Sequence, residues 1–184
     1  RRRTLARLRG EVAPVEAPAL ARFLGSWQGV APLGVPPSAG PERLLAVLTQ
    51  LEGLPLSLHE LETRILPARV RGFTGRQLDD LSAEGAIAWV GAGALSADDG
   101  RVQIVRRGRL PLLVPPPASP PDDPTARAVL AALEESGASF LSDLAGQLPA
   151  DLAPRDLREA LWDLAWGGFV TNDTFAALQA LRGR

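Results

Sequence analysis

"REALWDLAWGGFVTND", residues 158–173, carries two tryptophans one helical turn apart, then a glycine pair, then a β-branched dipeptide. Leu157, Leu161, Leu164 and Ala165 recur at helical spacing, with Trp162 and Trp166 widening the same face. Gly167 and Gly168 are expected to end that helix sharply, so that "FVTN" can run back beside it as a strand. A third helix handing over to a strand through a glycine corner is the join found in a winged helix, in which three helices are closed by a β-hairpin.

The same pattern occurs earlier in the chain. Leu58, Glu60, Leu61, Leu78, Asp80, Leu81, Gly85 and Ile87 match Leu141, Asp143, Leu144, Leu161, Asp163, Leu164, Gly168 and Val170 at one constant offset, without a gap. One structural unit used twice is the simplest account. Between the copies, residues 111–124 hold seven prolines in fourteen positions, which argues for a semi-rigid extended linker.

Local signals fill in the first copy. "PERLLAVLTQLE" (41–52) places Pro at a helix start and Leu44, Leu45, Leu48 and Leu51 on one face. Ser57 with Glu60 forms a capping-box pattern, and Thr74 precedes a short helix that Gly85 should end. "AIAWVG", "ALSADDG" and "RVQIVRR" read as strand, turn and returning strand. Upstream, Leu20, Phe23, Leu24 and Trp27 line one face of a helix stopping at Gly29. The expected class is therefore mainly α with short β-hairpins, an α+β arrangement of tandem winged-helix units behind a helical lead-in. The expected divisions are a lead-in and Pro/Gly loop at 1–40, a first unit at 41–114, a Pro-rich linker at 115–121 and a second unit at 122–184.

Composition removes many functions. The 184 residues contain no Cys, so thiol nucleophiles and thiolate metal sites are excluded, and a reducing, cytoplasmic setting fits. Nothing approaches the ~20 apolar residues that would cross a bilayer, and no membrane partner is expected. Without Met at any position, including the first, the sequence reads as a piece of a longer protein. All twenty basic residues are Arg; without Lys there can be no P-loop. The G-x-G of "WVGAGALSADDG" leads into a turn rather than a helix, so it cannot hold a pyrophosphate. His59 is the sole histidine, and "HELET" has Thr63 where a zinc protease motif needs a second His. Triads needing His are excluded with it, and no catalytic residue, metal or cofactor is assigned to this segment.

Net charge is −1, so any nucleic-acid contact must be local. Both third helices are net acidic, which suits a phosphate-lined groove poorly. Positive charge gathers instead at Arg101, Arg106, Arg107 and Arg109 on the first wing, with no acidic residue from 101 to 121. Arg101, Arg106 and Arg107 are the leading candidates for phosphate contact, with Arg69 and Arg76 behind them. A solvated, arginine-rich edge strand is the competing account of the same residues.

Several strings together resemble a known family. "ARFLGSWQGV", "LETRILPARVRGF", "AWVGAGALSADDGRV" and, most specifically, "ALWDLAWGGFVTNDTFAALQALR" resemble the C-terminal region of the large helicase-related (Lhr) proteins of bacteria, in order and over nearly the whole chain. The resemblance implies a superfamily 2, ATP-dependent 3′-to-5′ translocase linked to DNA repair, whose ATP and Mg sites lie in helicase domains outside this sequence. It also implies winged helices followed by a barrel similar to AlkZ-type DNA glycosylases. On this reading the segment is non-catalytic and holds single-stranded DNA or an RNA:DNA hybrid beside adjacent domains of its own chain. The alternatives are a structural module for domain contact or self-association, and part of a uracil-DNA glycosylase groove completed by later domains.

Overall fold

A computed structural model describes residues 14–29, 38–119 and 121–182. The helices are α1 (Ala17–Trp27), α2 (Pro41–Gln50), α3 (Leu58–Glu60, continuing as a π-helical turn over Leu61–Ile65) and α4 (Gly75–Ala83). Next come a one-turn α5 (Leu110–Leu113), α6 (Pro124–Ser136), α7 (Leu141–Gln147), α8 (Pro154–Trp166) and α9 (Ala176–Arg182). The strands are β1 (Leu56–Ser57), β2 (Ile87–Ala94) and β3 (Gly100–Arg106). They form one antiparallel sheet in the order β1–β3–β2, with Leu56 opposite Val102 and Trp89 opposite Ile104. This is the α+β winged-helix class that the sequence indicates.

The helix ends are set as the sequence chemistry requires. Ser57 Oγ accepts from the Glu60 N–H at 3.2 Å, and Gln77 Oε1 accepts from the Thr74 N–H at 2.9 Å. Asp123 caps α6 through the Ala126 N–H at 2.7 Å, with Pro124 opening the helix. The internal repeat has its counterpart in backbone geometry. Gly85 and Gly168 both take positive φ, +73° and +76°. Ala86 donates to the Leu81 carbonyl and Phe169 to the Leu164 carbonyl, the same helix-ending hydrogen bond 83 residues apart (169 − 86).

Beyond that corner the copies diverge. "FVTN" forms no strand. The Thr171 hydroxyl donates to the Trp89 carbonyl, and Asn172 Oδ1 accepts from both the N–H and the hydroxyl of Thr174, at 2.9 and 3.0 Å. This turn stops the extended run and aims the chain into α9. The second unit is thus three helices closed by a fourth, without a hairpin. Pro111 likewise sits in the first turn of α5, where its missing N–H costs nothing, so the proline-rich stretch opens with helix.

The second unit completes the core of the first. Ala165, Trp166, Phe175, Leu178 and Leu181 are buried in one cluster with Leu44, Leu58, Leu78, Ile87 and Trp89. A smaller cluster of Ala126, Val129, Leu144, Leu157, Ala160 and Leu164 holds α6, α7 and α8 together. Residues of the two units expected from the sequence thus share one buried core. Strand β2 is buried at every position from Ile87 to Gly91. Gly91 accounts for the close fit: a Cβ there would collide with the Ala165 carbonyl oxygen and stand 2.7 Å from Trp166 Cα. Gly100 is matched to the Trp166 ring, which a Cβ would meet at 2.6 Å. The tryptophan–glycine corner of 158–173 is an interlock between the two halves.

Candidate nucleic-acid interface

The four wing arginines stand in different surroundings. Arg101 is exposed on β3, opposite Ser57 of β1, and makes no ion pair among the described residues. Arg106 ends β3. Its Nη2 lies 3.2 Å from Glu52 Oε2, and its backbone N–H donates to Glu52 Oε1 at 2.8 Å. Arg109 Nη1 reaches the same carboxylate at 2.7 Å. Arg107 is half-exposed, with Asp173 at 3.7 Å.

The wing tip itself is not cationic. Asp99 accepts from the Ser57 hydroxyl at 2.8 Å and from the His59 N–H at 3.1 Å, pinning the β2–β3 turn to the start of α3. Positive charge therefore sits along β3 and just after it, from Arg101 next to the tip to Arg106, Arg107 and Arg109 at the base.

The two subsidiary candidates separate. Arg76 is exposed on α4, 3.9 Å from Asp80 one turn on. Arg69 is a structural tie: it donates to the Ile65 carbonyl at 3.0 Å and to Gln28 Oε1 at 2.9 Å, while its own carbonyl accepts from Arg43 Nε. Fastening the end of α1 to the turn after α3 occupies the guanidinium that a phosphate would need.

Glu52, Asp79 and Asp173 are the functional neighbours that sequence reading missed. Two guanidinium groups converge on Glu52, whose side chain is only 5% exposed. Burial pushes its carboxyl up, but the hydrogen bonds and charge of Arg106, with the charge of Arg109, outweigh this and hold it below the ordinary 4.5. A depressed carboxylate contributes stability that is present above about pH 4.5 and lost as pH falls below it. Glu52→Gln is expected to cost about 1–2 kcal/mol near neutrality. Urea midpoints should show that deficit shrinking at about pH 3.

Asp79 ties the third helix of the first unit to α9. Its Oδ1 accepts from the backbone N–H groups of Phe175 and Ala176, at 2.9 and 3.2 Å, so that a carboxylate on α4 caps α9. Gln179 of α9 lies against Gly75 at the first turn of α4; a Cβ there would meet its Nε2 at 2.8 Å. The first turn of a winged-helix third helix is where base edges are read. Here Gln179 of α9 packs on that turn at Gly75, while Arg76 stays exposed. Among the described residues no group of His, Asp and Glu is arranged to hold a metal ion. No described helix is long and apolar enough to cross a membrane.

Residues 15–107, from the start of α1 through β3 and its arginines, match the family model of the large helicase-related protein winged-helix domain. The chain belongs to the Lhr family. It is 39% identical over 181 residues to an Lhr helicase/probable uracil glycosylase of Mycolicibacterium smegmatis, covering 98% of this chain and 12% of the relative. It is 34% identical over 200 aligned residues to an Lhr helicase/uracil glycosylase of Escherichia coli, covering 98% of this chain and 13% of the relative. The chain thus spans about an eighth of the length of these Lhr proteins, and what is described here is a helicase-associated winged-helix segment.

Proposed function

We propose that this Lhr segment is a non-catalytic module that holds nucleic acid by its phosphates, through Arg101, Arg106 and Arg107 along β3 of the wing and just after it. It would serve the ATP- and Mg-dependent helicase activity of a parent protein linked to DNA repair, and the partner would be a single strand of DNA or an RNA:DNA hybrid. The observation that carries the reading is the division of charge. Four arginines lie within residues 101–109; three of them meet two carboxylates, Glu52 and Asp173, and Arg101 pairs with none among the described residues. Meanwhile the helix that could read bases is net acidic, and its Asp79 is spent on capping α9. Arginine forks suit phosphate oxygens, and contacts of this kind position a strand without reading it.

Fluorescence anisotropy with labelled single strands and a labelled RNA:DNA hybrid tests this directly. Affinity should fall steeply as salt rises from low to physiological, and two unrelated base sequences should bind alike. Absence of binding at low salt, or a strong sequence preference, would overturn the proposal.

A second reading rests on α1. Leu20, Phe23, Leu24 and Trp27 lie on one face of that helix, each 46–55% exposed, with Phe23 and Trp27 stacked at 5.7 Å. An apolar stripe of this kind favours contact with an adjacent domain of the same chain or self-association, alongside phosphate holding. The relatives' names include uracil glycosylase; this segment's part in such chemistry would be to line a groove completed by other domains.

A further inference from the structure

We infer that the pocket between α8 and α9 is a stacking site for one unpaired nucleobase of the strand that the wing arginines hold, an assignment that rests on the phosphate-holding reading above. The pocket has a volume of about 370 Å³, and Trp162 is among the residues that line it. Leu161, Leu181 and Trp89 line it from buried or half-buried positions, and the exposed Arg158 and Asn172 form its polar rim.

The aromatic wall is fixed from behind. Trp162 is half-buried and stacks on Trp166 with ring centroids 5.6 Å apart and planes inclined by 27°. Trp166 in turn is 7% exposed and seated on Gly100, so neither ring is free to turn away. A rigid, partly exposed indole is the surface on which single-strand binding proteins stack bases. Apolar pockets with a few convergent polar groups are the usual form of a small-ligand site.

The polar rim selects the ligand class. Arg158 lies one helical turn before Trp162 and makes no ion pair among the described residues, so its donors are available. Asn172 Oδ1 is occupied by two donations from Thr174, which turns its Nδ2 donors outward without a partner among the described residues. The Thr171 hydroxyl proton is committed to the Trp89 carbonyl. The rim therefore offers donors and asks for a flat group rich in acceptors: a base with its ring nitrogens and carbonyls, followed by a phosphate. An aliphatic side chain from another protein would leave these donors unmatched, and an amine would be repelled by Arg158. The rim also joins the arginine track, because Asp173 beside Asn172 pairs with Arg107 at 3.7 Å.

The test compares two strands of equal length and charge, oligothymidine and a fully abasic deoxyribose-phosphate strand, titrated into the 184-residue chain at one low salt concentration. Oligothymidine should quench tryptophan fluorescence and bind about tenfold more tightly than the abasic strand. Trp162→Leu should remove both differences while leaving the abasic affinity unchanged. Arg158→Ala, on an exposed side chain that makes no ion pair among the described residues, should reduce the preference. Equal affinity for the two strands overturns the pocket assignment and leaves phosphate holding in place. Failure of both strands to bind overturns both. If Trp162→Leu changes only the sedimentation coefficient, the pocket is a protein contact and the base assignment falls.

Discussion

Gly91→Ala is expected to lower the melting temperature by roughly 10 °C, the effect of losing about 3 kcal/mol or more in a chain of this size. The added methyl would collide with the backbone carbonyl oxygen of Ala165 and stand 2.7 Å from Trp166 Cα, both at the end of α8. No rotamer change relieves a collision with backbone, so α8 must lift from β2. Lifting it draws Trp166 off Gly100 and opens the cluster that Ala165 and Trp166 share with Trp89. Gly146→Ala is the matched control. Gly146 is exposed within α7, and nothing lies within 4 Å of a Cβ there. Its replacement should raise stability by about 0.5–1 kcal/mol through helix propensity. Scanning calorimetry of the two variants should give shifts of opposite sign; equal small shifts would mean that α8 and β2 are not interlocked.

Phe175→Ala is expected to destabilise the chain by about 3–5 kcal/mol, as deletion of a fully buried ring does. Phe175 is 0% exposed and packs its ring 6.3 Å from that of Trp89. Its N–H is one of the two that Asp79 accepts, and the neighbouring Thr174 carbonyl accepts from Trp89 Nε1 at 3.1 Å. The substitution therefore releases α9 as well as leaving a cavity. Urea unfolding followed by near-ultraviolet dichroism should show a lowered midpoint together with a changed tryptophan environment. Freed of α9, α4 should still read no bases, because Arg76 and Gln77 are outnumbered by Asp79, Asp80 and Glu84. A loss below about 1 kcal/mol would mean that α9 rests on the surface of the first unit and is no part of its core.

Local chemistry made much of this legible from sequence. The caps at Ser57 and Thr74, the helix-ending glycines at 85 and 168 and the β2–β3 hairpin each depend on residues a few positions apart. So does the constant offset of the repeat, whose copies end their third helices through the same hydrogen bonds. What sequence could not give was set by partners far along the chain. "FVTN" has strand composition, yet its Thr171 hydroxyl is bonded to the Trp89 carbonyl and its Asn172 side chain closes a turn on Thr174, so β propensity yields to tertiary packing. Arg69 looks like any surface arginine until Gln28 and the Ile65 carbonyl are found around it. Glu52 stands 54 residues before Arg106, and Asp79 stands 96 before Phe175. Neither separation leaves a periodic trace. The charge run at 101–109 was visible at once; the carboxylates that meet it were not.

On the reading proposed above, Arg101, Arg106 and Arg107 meet phosphates, and the buried Glu52 orients Arg106 together with Arg109. The most direct test is the salt dependence of single-strand affinity in the wild-type chain and in Arg101→Ala/Arg107→Ala. That pair leaves both partners of Glu52 intact. Removing one arginine–phosphate interaction with a single strand should reduce the slope of log affinity against log salt by about 0.7, so the double variant should fall by about 1.4. A slope unchanged in the double variant, with the fold intact, would contradict phosphate holding by the wing and leave its arginines as a solvated edge.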